Sequence, residues 1–322
     1  MTVFPAGYTI LRAEDTARRR PVLIDAWYPA SPSAIETPHD YGLGQGHVAE
    51  HAVIRKGSHP VVLLSHGAFG SARNYSWIAE HLARNGYLVA GVSHFRESPL
   101  YGMNTINPVS ALQPWLRPQD CSFALDYLTA TSELRHAIDP SRIGALGHSS
   151  GGATAIALGG AVFDPGAMQV YCASEAARPD RGCAYARSSS HSPSPGDEAS
   201  RSYRDDRIRA IVALDPALGP GYTTASLTSM SVPVHIVGSV QNDFLPFEFH
   251  AGRYARLIPG ASLTRLARGE GHFIFLDECR SDLAVNGVPL CRDRAGVHRG
   301  RVHEDLKGIV LDFFDRALHE SG

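Results

Sequence analysis

Long apolar runs are missing from this 322-residue chain. The longest, such as Pro60–Ser65 and Tyr87–Val92, fall far short of the roughly 20 residues that cross a bilayer, so no membrane span is expected. A surplus of charge is missing too. The net charge is −2 and the pI about 6.8, which gives no electrostatic case for binding nucleic acid or an anionic membrane. The start, Met1–Asp15, lacks a basic stretch followed by an apolar one, so no signal peptide is expected in the chain as it stands. No internal repeat is visible. What is present, 43% hydrophobic against 19% charged residues, is the balance of a globular chain rather than a disordered one.

Cysteine is scarce, and its five positions are informative. Cys121 shares a helical face with Leu125 and Leu128, which marks it as a core residue. Cys172 and Cys183 bracket one short loop, and Cys279 and Cys291 another. Two close pairs in loop-like sequence point to two local disulfides, and their spacing fits no common zinc pattern. A periplasmic or secreted location follows if those bridges form and a leader was trimmed. Otherwise the cytoplasm is expected.

Along the chain, short apolar runs alternate with amphipathic ones. Strands are expected at 61–65, 87–92, 143–146, 208–214, 234–237 and 262–267, after an N-terminal strand pair near 8–13 and 22–30. Helices are expected at 73–85, 119–134, 150–162, 249–257 and 303–318. That rhythm predicts an α/β fold: a mainly parallel, doubly wound sheet with helices on both faces. Residues 31–58, rich in Pro, Gly and His, read as surface loop. One domain over 1–322 is expected, with a lid-like, partly low-complexity insertion at 163–206 and a loop insertion at 277–302.

The stretch "RIGALGHSSGGAT" places Ser149 between Gly147 and Gly151, where an apolar strand must turn into a helix. G-x-S-x-G in that context is a nucleophile elbow. Other chemistry-bearing residues also follow strands, where open α/β sheets carry their sites. They are Ala68 in "HGAFG", Asp215 after 208–214, Asp243 in "NDFLP" and His272 in "GEGHF". The chain order is serine, aspartate, histidine. Serine is a weak nucleophile that needs a base, and an imidazole with a pKa of about 6.5 suits pH 7. His272 would take the proton of Ser149 and return it to the leaving group. The backbone N–H groups of Ala68 and Ser150 would hold the oxyanion.

Those motifs, from "VVLLSHGAFGSARNYSWIAEHLARNGYLVAGVSHF" to "GEGHF", resemble the dienelactone-hydrolase-like α/β-hydrolases. The likeness is greatest to platelet-activating-factor acetylhydrolase-like and bacterial polyester-hydrolase-like serine esterases. It covers roughly residues 60–165 and 208–276. The resemblance implies an α/β-hydrolase fold, a serine carboxylic-ester hydrolase, and an oxyanion donor after the His-Gly pair. Dienelactone hydrolases proper use a cysteine nucleophile, whereas this chain has Ser149, which points away from that activity. Short-acyl, lactone or polyester-like esters are the expected small-molecule substrates, and no cofactor is implied. An acyltransferase using the same acyl-enzyme and a non-catalytic binding protein on the same fold are the alternatives.

The acid of the triad has two candidates. Asp243 follows the penultimate strand, the usual position, and is favoured; Asp215 occupies the place used by the acetylhydrolase-like branch. "HVAEH" at 47–51 matches a zinc-peptidase pattern, but 16 histidines make a chance match easy, and no metal site is assigned. "GLGQGH" follows no strand and is no dinucleotide loop. His66 and His94 read as structural anchors, and Phe69, Tyr101 and Trp115 as candidates for an acyl pocket.

Overall fold

The computed structural model describes residues 3–188, 196–279 and 281–319. Most of the low-complexity stretch at 188–200 lies outside the described residues. Six parallel strands form the centre: β5 (His59–Ser65), β6 (Leu88–Ser93), β7 (Ile138–His148), β8 (Ile208–Leu214), β9 (Val234–Ser239) and β10 (Ser262–Leu266). They follow the four edge strands β1 (Ala6–Asp15), β2 (Arg20–Pro29), β3 (Thr37–Asp40) and β4 (Gln45–Glu50). The spatial order is β10-β9-β8-β7-β5-β6-β2-β1-β4-β3.

Every residue of β5 is buried, as a parallel strand covered on both faces requires. Its side chains alternate between two cores. Val61 and Leu63 pack toward Cys121 and Leu125 of α2 (Leu116–Ala130), Ile156 of α3 (Ser150–Leu158) and, further along, Tyr254 of the helix at 251–257. Val62 and Leu64 pack on the opposite face with Ile78 and Leu82 of α1 (Ser76–Arg84) and Phe314 of the closing helix at 299–319. Each fully buried aliphatic side chain contributes about 1.5–3 kcal/mol, and this two-sided burial is what holds the site-bearing strands parallel.

Three elements depart from the sequence expectation. Residues 31–58 are not all loop: β3 and β4 extend the sheet, with Val48 and Ala49 buried and Ala49 paired to Gly7 of β1. The polar residues that face outward on this edge hide the alternation. Helix α2 starts at Leu116, not 119, because Pro118 sits in its first turn, where the missing N–H costs no helical bond. The closing helix starts at Arg299, and the loop before it holds a hairpin turned by Asn286-Gly287 with φ of 47° and 79°, the primed turn that hairpins favour.

The cysteines pair Cys172 with Cys183 and Cys279 with Cys291, with Cα separations of 5.4 and 5.2 Å, and Cys121 is buried and free. Cys172 lies on α4 (Pro165–Ala173), and Cys183 opens α5 (Cys183–Ser188). No helix among the described residues is long and apolar enough to cross a membrane.

Candidate active site

The chain leaves β5 toward β6 on one side and returns to β7 on the other, so a crevice opens where the carboxyl ends of β5 and β7 diverge. Ser149 stands there, between β7 and α3. Its φ of 56° and ψ of −120° put a non-glycine residue in a region that side chains avoid. The strain is held by two backbone bonds, Ser149 N–H to the Leu214 carbonyl and Ala217 N–H to the Ser149 carbonyl, both 3.0 Å. The flanking glycines are there for space. A Cβ on Gly147 would come within 2.2 Å of the Gly151 carbonyl oxygen, and one on Gly151 within 1.9 Å of the Ser65 carbonyl oxygen. No side chain fits either position.

His272 follows β10 and approaches from the far side. Its Nε2 lies 3.0 Å from Ser149 Oγ. The serine is 8% exposed and the histidine 1%. The two aspartates meet different parts of the histidine. Asp215, at the end of β8, brings Oδ2 to 3.5 Å from His272 Nδ1, which has no closer polar partner. Asp243 accepts the backbone N–H of His272 at 2.9 Å and pairs with Arg294 at 3.3 Å. Its carboxylate therefore faces the histidine's main chain, not its ring. Strand-end position alone does not reveal which way a carboxylate points.

Burial sets the electrostatics. It pushes the His272 imidazole well below its ordinary value, against the opposing pull of the Asp243 charge, and so keeps the ring neutral. Burial pushes Asp215 up, while the Ser239 N–H and the Asn242 amide at 2.7 and 2.8 Å oppose that shift. Both of those groups donate to Asp215, which favours the carboxylate over the acid.

Among the described residues, no acceptor takes up the backbone N–H of Ala68 or Ser150. Both border the cavity next to Ser149. The Ala68 loop is held from below. Arg117, buried and paired with Glu97 at 2.6 Å, donates to the His66 carbonyl at 2.6 Å. His66 itself donates from Nδ1 to the Gly67 carbonyl and accepts the His94 N–H at Nε2, which fixes its tautomer. His94 lies 2.9 Å from Ser65 Oγ and 3.1 Å from Asp120. These histidines anchor the loop and face no cavity.

The crevice widens into a cavity of about 1140 Å³. Its walls come from the Ala68 loop, the segment 99–115, α4, the loop after β9, and the 277–302 segment. Phe69 and Trp115 line it; Tyr101 does not, its hydroxyl being committed to the Ser93 carbonyl at 2.8 Å and the Leu23 N–H at 2.7 Å. Among the described residues, no lysine or arginine lines this cavity. The one carboxylate among them, Asp180, is bonded to His250 at 2.7 Å. His51 of "HVAEH" bonds Thr9, and Glu50 bonds His39. No group of three or more metal-ligating side chains occurs among the described residues.

A strained serine elbow at the switch point of a mostly parallel sheet, followed by an aspartate and a histidine at later strand ends, is the arrangement of the α/β-hydrolase fold, and this chain has that fold. The Chlorophyllase family profile matches residues 49–173. A bis(hydroxyethyl) terephthalate hydrolase of Streptomyces coelicolor is 28% identical over 126 residues, which are 39% of this chain and 36% of that protein. Cutinase est1 of Thermobifida alba is 30% identical over 30% of this chain and 29% of its own length. Chlorophyllase-1 of Citrus sinensis is 32% identical over 32% and 29%. These matches span about a third of the length of the curated relatives. A ferulic acid esterase from Streptomyces cinnamoneus shares the fold across 99% of this chain and 91% of its own, with a TM-score of 0.64 and 22% identity.

Sequence reasoning singled out Ser149 and His272 from their motifs. It missed Tyr75, His148 and Asn242 as parts of the site. His148 is the variable residue of the elbow motif and carried that one signal. Tyr75 and Asn242 carried none.

Proposed function

We propose that this chain is a serine hydrolase of carboxylic esters that works through an acyl-enzyme on Ser149. The 3.0 Å contact between Ser149 Oγ and His272 Nε2, at a strained elbow facing a large cavity, carries that reading. His272 takes the hydroxyl proton as Oγ attacks the ester carbonyl, and the negative charge develops on the carbonyl oxygen. The unused N–H groups of Ala68 and Ser150 supply the donors there, each worth about 3–4 kcal/mol of transition-state stabilisation. The imidazolium returns its proton to the leaving alcohol. Water, deprotonated by the same imidazole, then releases the acid and restores the serine.

Asp215 is the acid in this reading, because its oxygen is the one facing Nδ1; Asp243 holds the turn that carries His272. Asp243 as the acid is the competing assignment. The described part of the cavity wall carries no cation, which favours an uncharged, largely apolar ester, since a substrate carboxylate would be desolvated there unpaired. The relatives named as a bis(hydroxyethyl) terephthalate hydrolase, a cutinase and a chlorophyllase fit that class. One catalytic domain, with the 163–206 and 277–302 insertions walling the cavity, completes the proposal. Two disulfides favour an oxidising compartment.

A screen of p-nitrophenyl esters of rising acyl length tests the activity. Turnover should be measurable and should vanish in Ser149→Ala with an unchanged melting temperature. Turnover near the parent rate in Ser149→Ala contradicts the reading.

A further inference from the structure

One buried chain of hydrogen bonds links three parts of the site and has no role in the proton transfers above. The His272 carbonyl, 3.0 Å from His148 Nε2, can only accept. His148 must therefore carry its hydrogen on Nε2, which leaves Nδ1 as an acceptor. The Tyr75 hydroxyl, 2.9 Å away, donates to that Nδ1, and its oxygen accepts the Gly67 N–H at 3.0 Å. Every donor and acceptor along the chain is assigned without choice.

The participants are buried: Tyr75, His148 and His272 are each 1% exposed. Their positions matter more than their burial. Gly67 precedes Ala68, the proposed oxyanion donor. His148 precedes Ser149. The carbonyl at the other end belongs to the base itself. Packing is tight at the loop end, where a Cβ on Gly67 would meet Tyr75 Oη at 3.3 Å and His148 Nδ1 at 3.4 Å. At the other end the His148 and His272 rings lie with centroids 4.6 Å apart.

We infer that Tyr75 and His148 are positioning residues that fix the oxyanion loop at a set distance from the base, with the nucleophile between them. This rests on the reading of Ser149 and His272 above. Burial keeps the His148 ring neutral, and its bonds to the His272 carbonyl and the Tyr75 hydroxyl hold it in the one tautomer the chain needs. Burial also keeps the Tyr75 hydroxyl protonated and able to donate. Neither residue exchanges a proton with substrate. They act by holding the Ala68 N–H where the oxyanion forms, and that contact is strongest in the transition state.

Tyr75→Phe removes one oxygen and leaves both the Gly67 N–H and His148 Nδ1 without a partner. The expected result is a kcat lower by about 10–100-fold with KM within about threefold, since small displacements of catalytic groups act on the transition state. A trifluoromethyl ketone, whose hydrate-like adduct with Ser149 carries the oxyanion, should bind more weakly by the same factor. Tyr87→Phe is the control: a buried tyrosine far from the site loses its part-buried bond to Asp315 on the helix at 299–319. It should lower the melting temperature similarly and leave kcat and ketone affinity unchanged. Should Tyr75→Phe not fold, His148→Gln carries the test, because it keeps a donor toward His272 and loses the acceptor for Tyr75. A kcat within threefold of the parent, or a fall matched by Tyr87→Phe, overturns the inference. With Ser149→Ala inactive, that outcome removes the positioning role alone; with Ser149→Ala active, the esterase reading itself fails.

Discussion

Replacing Asp215 by asparagine changes one oxygen for an NH₂ at nearly constant volume, and the consequences can be worked through atom by atom. In the parent, Oδ2 faces the N–H on His272 Nδ1 at 3.5 Å and accepts the Asn242 amide at 2.8 Å, while Oδ1 accepts the Ser239 N–H at 2.7 Å. Asparagine keeps one acceptor for Ser239. Its NH₂ then confronts two donors, and the repulsion is relieved when His272 moves its hydrogen to Nε2. That tautomer cannot accept the Ser149 proton. The imidazolium also loses its counter-charge. By analogy with triads whose tautomer is lost, kcat should fall by about 10³–10⁴, or roughly 4–5.5 kcal/mol of barrier. Asp243→Asn removes much less: asparagine can still accept the His272 backbone N–H, and the half-exposed pair with Arg294 is worth about 0.2–1 kcal/mol. A drop below tenfold is expected. Steady-state hydrolysis of p-nitrophenyl butyrate, with melting curves for both variants, separates the two carboxylates. A crippled Asp243→Asn beside a mild Asp215→Asn refutes the assignment.

The reference imidazole value puts the acid limb of kcat/KM near pH 6.5, but burial pushes His272 below that, so the limb should lie lower and the rate at about pH 5.5 should stay above half its neutral value. A midpoint at or above 6.5 contradicts a dry site. The sign for stability is the same: a depressed histidine binds its proton more readily when unfolded, so below about pH 6.5 His272 and His303 favour unfolding, and the melting temperature should fall as pH drops through that range. Alkylation of the unreduced, unfolded chain should modify one thiol by intact mass, Cys121; five modified thiols would contradict both bridges. Each bridge closes a loop of 11 or 12 residues, and losing one should cost about 2–3 kcal/mol by the chain-entropy estimate.

The central strands were legible because buried parallel strands are unbroken apolar runs, as in Val61–Leu64, and α1 shows one apolar stripe. The edge was not. In β4 only Val48 and Ala49 turn inward, and two buried residues in a histidine-rich stretch form no readable period. The elbow stood out because crowding forbids side chains at 147 and 151, which writes the turn into the sequence as glycine. The choice of acid was written nowhere so local. Both aspartates follow strands, and which one reaches the ring depends on the path of the loop at 240–246, a tertiary outcome. Tyr75 was equally hidden, since its partners at 67 and 148 come from two other segments of the chain.

A covalent probe addresses the acyl-enzyme most directly. Incubation with a p-nitrophenyl alkylphosphonate should release one equivalent of p-nitrophenol, raise the intact mass by one phosphonyl group, and place that group on Ser149 after peptide mapping. The same treatment should leave Ser149→Ala unmodified. Labelling that persists in Ser149→Ala, or an active enzyme that the phosphonate neither labels nor inhibits, would contradict Ser149 as the nucleophile.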